Sequence, residues 1–201
     1  KKEIEAHDAK PIYICISGAH LYGFPSVDSD FDLRCCHINP TSRFFHLEKP
    51  RDVIEKTITI NGEVIDIVSH EIEKVLKLLL QNNSNVLEHT FAKNLFITSE
   101  YKELKKIAER SLSKCVFNPY KGMAEFNYRK FIDSSNLVYN KSVKKYLYIL
   151  RAYMAGIYAL EQGEIQPSII ELNKKYKNKV VNDLIKLKKK GEKEILKHST
   201  A

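Results

Sequence analysis

No stretch of this chain approaches the roughly 18–20 consecutive apolar residues that a membrane-spanning helix needs, so a membrane partner is not expected. Residues 1–10 are polar and lack the apolar core of a secretory signal. Neither an internal repeat nor a low-complexity linker interrupts the 201 residues. The four cysteines (Cys15, Cys35, Cys36, Cys115) lack CxxC spacing. Cys15 falls in an apolar run, and adjacent Cys35 and Cys36 would point to opposite faces of a strand. The expectation is reduced, mostly packed thiols in a cytoplasmic protein, with a zinc site as the alternative.

What is present is an ordinary globular composition, 43% hydrophobic and 29% charged, long enough for one large or two small domains. The formal net charge is +8 and unevenly spread. Over residues 171–201 ten lysines face only four acids, so most of the excess lies there. A basic C-terminal segment suits phosphate contacts; a solvated helix face explains the same pattern.

"PIYICIS" (11–17) and "DFDLRCCHI" (30–38) have the β-branched and aromatic texture of strands. In 53–69 two strand patterns flank Asn61-Gly62, the signature of a type I′ hairpin. A helical stripe follows in Ile72, Val75, Leu76, Leu79 and Leu80, then a short helix near 86–91 and a strand at 94–98. Beyond Tyr101 the pattern predicts helices at 101–113, 119–138, 143–161 and 178–196. The fold class implied is α+β: a small mixed β-sheet followed by a helical C-terminal half. The predicted domains are a catalytic 1–110 and a helical 111–201 with the basic segment.

The candidate chemistry sits in "SGAHLYGFPSVDSDFDLR". Strand alternation puts Asp30, Asp32 and Arg34 on one face and Phe31, Leu33 and Cys35 on the other. Two neighbouring carboxylates on a buried strand repel, and are costly to bury, unless a positive partner is present. A turn around Gly18 can bring backbone N–H groups close to a phosphate. Paired oxygen ligands beside a phosphate turn suit Mg²⁺ or Mn²⁺. Two-metal phosphoryl or nucleotidyl transfer needs a third acid, for which Asp66 inside "GEVIDIVSH" is the best candidate. Lys145, Tyr148 and Arg151 recur every three residues and approximate one helix face, as Tyr146, Leu147, Leu150 and Met154 suit a core stripe. From spacing alone an exposed basic helix is the favoured reading of this face over a triphosphate contact by Lys145 and Arg151. His20 and Arg34 border the acids, and His70 is placed to begin a helix.

"GAHLYGFPSVDSDFDLR" resembles the G-S-x-x-x-G…S-D-x-D signature of the DNA polymerase beta-like nucleotidyltransferase superfamily. More narrowly it resembles the nucleotidyltransferases associated with RNA ligases, the RlaP-like family. "DIVSHEIEKVLKLLLQNNSNVLEHTF", "YKGMAEFN" and "VKKYLYILRAYMAGIYALEQGEIQP" extend the likeness over about residues 12–170. The resemblance implies Asp30 and Asp32 as a metal pair and Asp66 as third metal ligand and general base. It implies Gly18 as the phosphate-turn glycine. The serine usual after that glycine is Ala19 here, and Ser17 precedes it. Ser17, Gly18, Lys145 and Arg151 are the implied nucleotide contacts.

The implied activity is metal-dependent transfer of a nucleoside monophosphate from an NTP to an acceptor hydroxyl. RNA is the first choice of acceptor, ahead of a protein hydroxyl (AMPylation) and a small molecule. The alternative is a module that binds nucleotide or RNA without turnover. Neither the oligomeric state nor the NTP follows from the sequence.

Overall fold

The computed structural model describes residues 1–133 and 142–191. The chain divides into two compact units. The first comprises Lys1–Gly18 and Asp30–Ser113, the second Ala19–Ser29 and Lys114–Ala201.

The first unit is built on a five-stranded sheet. Helix α1 (Lys2–Glu5) leads into β1 (Lys10–Ile16); the short helix α2 (Gly18–Tyr22) that follows belongs, from Ala19 on, to the second unit. Then come β2 (Phe31–Ile38), β3 (Val53–Ile60), β4 (Glu63–Glu71), α3 (Ile72–Leu80), α4 (Ser84–Phe91), β5 (Asn94–Ile97) and α5 (Ser99–Ser111). The strand order is β3-β4-β2-β1-β5. Only β2 and β4 run parallel; the other neighbours are antiparallel, so the sheet is mixed. The β3–β4 turn is Asn61-Gly62, both with positive φ (52° and 87°), the backbone that a type I′ turn demands.

One face of this sheet carries the apolar cluster. Ile4, Ala9, Ile14, Cys35, Ile54 and Ile67 are buried together, with Leu33, Ile58, Ile65 and Phe96 packed against them. Because successive side chains alternate, the residues between these positions point to the other face. Asp32, Arg34 and Asp66 are among them.

Two details of the helical reading change. His70 lies within β4 and does not start α3; Glu71 caps that helix, its side chain accepting from the Glu73 amide at 2.6 Å. On α3, Val75 and Leu79 are buried but Leu80 is 77% exposed, because it falls past the edge of the stripe.

The second unit contains α6 (Phe117–Phe131), α7 (Val143–Gln162), α8 (Ile169–Tyr176) and α9 (Lys179–Lys188). Gly156 lets α7 lie close to α6: a Cβ there would stand 3.0 Å from Tyr120 Cβ and 3.1 Å from Phe117. Segment Ala19–Ser29 belongs to this unit. Its Tyr22 and Phe24 meet Tyr148 of α7 edge-on, with ring centroids 5.5 and 5.7 Å apart. The sequence pattern missed α8. The parts of the predicted helices at 134–138 and 192–196, and the lysines at 193 and 197, lie outside the described residues.

The protein is thus of the α+β class, with strands early and helices late. Among the described residues no helix is long and apolar enough to cross a membrane.

Candidate active site

Register brings the acids together. In the parallel β2–β4 pair, Asp32 is the direct partner of Asp66. Adjacent strands lie about 4.8 Å apart, and register partners project to the same face, so these carboxylates are neighbours. Thr57 is the partner of Asp66 across the β3–β4 ladder. The Ser17 amide donates to the Asp32 carbonyl at 2.7 Å, adding Ser17 to the same row. Thr57, Asp66, Asp32 and Ser17 therefore cross the sheet in one line. Asp30 stands just before β2 and is exposed, whereas Asp32 and Asp66 are half-buried.

Each member of the row has a partner. Arg34 Nη2 donates to Asp32 Oδ1 at 3.1 Å. Asp66 Oδ1 accepts from Thr57 Oγ1 at 2.6 Å. Ser17 Oγ lies 2.8 Å from His89 Nε2 on α4, within hydrogen-bond reach. The positive group beside the acids in this structure is thus the Arg34 guanidinium. Both partners keep about 30% of their side-chain surface (27% and 31%), so the pair contributes only about 0–1 kcal/mol.

Gly18 has φ +62°, and a Cβ on it would come within 2.1 Å of Asp32 Oδ2. Any side chain would collide with the carboxylate, and the left-handed backbone penalises it further. Glycine keeps the main chain against Asp32. Ala19 and Ser17 are buried.

The second-unit candidates lie in unforeseen environments. Arg151 is fully buried in the α7 stripe with Val143, Leu147, Met154 and Ala155. Its guanidinium carbon sits 3.7 Å from the Tyr22 ring centre, and Nη2 is 3.5 Å from Met123 Sδ. Lys145 Nζ is 3.9 Å from the centre of the Phe131 ring. Lys188, part of the basic segment in the sequence, is fully buried and donates to Ser26 Oγ at 2.6 Å.

Two residues beside the acids were not singled out from sequence. Thr57 is an ordinary strand threonine. His89 is separated from Ser17 by 72 positions, and no local pattern joins them.

A divalent metal is implied by the resemblance. The donors are of the right kind: Asp32 and Asp66 are hard oxygen ligands on neighbouring strands, with Asp30 two residues upstream. Among the described residues, no group of three or more His, Cys, Asp or Glu side chains is arranged to hold a metal ion. Cys15, Cys35 and Cys36 are buried free thiols, and Cys115 is exposed. Burial pushes Cys15 and Cys35 up to about 12, so both stay protonated and are poor metal ligands.

The sheet is mixed, and Asp32 and Asp66 stand in register on its parallel β2–β4 pair. The model of the RlaP family, the RNA repair pathway DNA polymerase beta family, matches residues 1–200, and the chain belongs to that family. It is 37% identical over 161 residues to the uncharacterized protein MJ0002 of Methanocaldococcus jannaschii, covering 78% of this chain and 63% of that one. It is 30% identical over 177 residues to the uncharacterized protein YcgL of Bacillus subtilis, covering 83% and 63%. The chain therefore spans less than two thirds of the length of either relative. A crystal structure of a nucleotidyltransferase-like protein from Exiguobacterium sibiricum aligns at 16% identity with a TM-score of 0.37, over 89% of this chain and 60% of that one.

Proposed function

We propose that the protein is a metal-dependent nucleotidyltransferase that moves a nucleoside monophosphate from an NTP to an acceptor hydroxyl, with RNA as the favoured acceptor. The observation that carries this reading is the direct register of Asp32 with Asp66, beside a glycine that only a bare main chain can satisfy. In the reaction the acceptor oxygen bonds to the α-phosphorus, the bond to the pyrophosphate oxygen breaks, and the hydroxyl proton leaves to a base.

Asp30, Asp32 and Asp66 are the residues that would hold Mg²⁺ or Mn²⁺. Bound there, the metal would supply charge stabilisation for the phosphoryl oxygens and the leaving group. Asp66 is the proposed base, its Oδ1 already oriented by the Thr57 hydroxyl. The Gly18 backbone is the proposed phosphate cradle, with Ser17 beside it as a further nucleotide contact. Arg34 donates to Oδ1 of Asp32, and Oδ2 is the oxygen on the Gly18 side.

The same partners support a second reading, nucleotide or RNA binding without turnover. Asp32 is engaged by Arg34, and the serine usual after Gly18 is Ala19.

One experiment separates the two. The protein is incubated with each α-labelled NTP, Mg²⁺ or Mn²⁺, and total RNA or lysate, beside Asp32→Asn. Labelled RNA from the wild type, lost in Asp32→Asn, supports transfer. Asp32→Asn should change folding stability by less than about 1 kcal/mol, since the Arg34 pair is half-exposed. Label in the protein fraction would instead make a protein hydroxyl the acceptor. Near wild-type turnover in Asp32→Asn would remove the metal role.

A further inference from the structure

At the other end of β2 the connection to β3 forms a recess unlike the acidic row. Asp32 to Asn39 spans seven residues, about 23 Å along an extended strand. There His7, Asn39, Arg43, His46, Lys49 and Arg51 line a cavity of about 370 Å³, with Glu48 and Glu55 at its walls. Arg43 donates to Asp8 at 3.1 Å. Lys49 and Arg51 make no ion pair within 4.0 Å among the described residues. The same connection, which includes a 3-10 turn at Thr41–Phe45, exposes three large apolar side chains: Phe44 (42%), Phe45 (85%) and Leu47 (107%).

An isolated exposed apolar residue needs no explanation, but three within four positions beside a recess that holds two cations without an ion pair do. Flat aromatic rings stack on bases of any sequence, while arginine and lysine track the phosphates between them; this is the chemistry of single-strand binding. An acidic peptide would use the cations and leave the rings unmatched. A bilayer surface is flat, whereas the cations here line a recess, and the turn is too short to lay an amphipathic helix on lipid.

We propose that the β2–β3 connection and its recess are a docking surface for single-stranded nucleic acid. Lys49 and Arg51 contact phosphodiesters, and Phe45 serves as a stacking platform. The surface deepens the reading of RNA as acceptor and rests on it only for its role, because this binding needs neither nucleotide nor divalent metal.

The test is fluorescence anisotropy with a labelled 12-nucleotide single-stranded RNA, without NTP or divalent metal, over a series of salt concentrations. Lys49→Glu with Arg51→Glu should weaken binding at least about tenfold and reduce the salt slope by about 1–2, the effect of losing two single-strand phosphate contacts. Phe45→Ala should weaken binding about 5- to 100-fold at an unchanged salt slope, since stacking releases few counterions. Reversing the exposed tail lysines Lys186, Lys189 and Lys190 to glutamate should have the smaller effect. Circular dichroism checks folding; if the charge reversal misfolds, Lys49→Gln with Arg51→Gln replaces it. The proposal falls if wild type does not bind the RNA, if neither loop variant weakens binding, or if tail reversal alone abolishes it. It also falls if poly-glutamate or phosphatidylserine vesicles compete better than unlabelled RNA. The labelled-NTP assay with a small acceptor is read separately, so loss of this surface and loss of the transfer reading give different results.

Discussion

His37 shows how a single side chain can set a pH limit on the sheet. It is fully buried in β2, with Nδ1 2.8 Å from Ser69 Oγ on β4. Burial lowers its pKa to about 4, helped by the neighbouring His70 and His7 and opposed by Asp52. In the unfolded chain the group returns to about 6.5. Above pH 6.5 both states are neutral and the fold has its full stability. Between about 6.5 and about 4 the unfolded state takes up a proton that the folded state refuses, so stability falls as pH falls, by about 3 kcal/mol in total. Urea unfolding at pH 7.5 and pH 5.0 should show this loss in the wild type. His37→Asn, whose amide can meet Ser69 but does not titrate, should show a smaller loss; an identical difference in both proteins would assign the pH dependence elsewhere.

At the scale of the element, α9 places a lysine where its stripe calls for a leucine. Val181, Leu184, Ile185 and Lys188 are its buried positions, spaced for one helix face. Replacing a buried charge with an apolar residue of similar volume is often neutral or stabilising, while inserting an opposite charge is costly. Lys188→Met should therefore leave the denaturation midpoint unchanged or raised. Lys188→Glu should destabilise by about 3 kcal/mol or more, so a reversal of tail charge must spare this position. A midpoint for Lys188→Glu within error of wild type would mean that this side chain is solvated. The same helix shows what the sequence withheld. Strand alternation and Asn61-Gly62 made β2, β3 and β4 readable, because backbone geometry there depends on immediate neighbours. The separation of Asp32 from the apolar face followed from the same alternation. Burial of Lys188 and Arg151 was not readable, because each depends on Ser26 or Tyr22, more than a hundred positions away. Helix α8 stayed hidden because only Ile169, Leu172 and Asn173 are buried in it, too short a stripe to stand out. The pairing of Ser17 with His89 was hidden for the same reason of distance in sequence.

At the scale of the molecule, the division into units does not follow the order of the chain. Segment Ala19–Ser29 leaves the sheet unit after Gly18 and the chain returns to it at Asp30, while Tyr22 and Phe24 of that segment pack on Tyr148. A fragment ending at Ser113 would keep those rings and lose their partner. Expressed alone, fragment 1–113 should aggregate or bind a hydrophobic dye. Replacing 19–29 in it with a short Gly/Ser turn should restore a soluble monomer, because β1 and β2 are antiparallel neighbours whose ends already meet at Ile16 and Leu33. Size-exclusion chromatography of both fragments decides it; a plain fragment as soluble as the shortened one would mean that the segment needs no helical partner. The split also constrains inheritance. A single recombination breakpoint cannot hand the helical unit to another gene intact, because eleven of its codons are embedded inside the reading frame of the sheet. Any exchange that keeps both units whole must cut on each side of that insert as well as at the main junction, so the two units are expected to have travelled together.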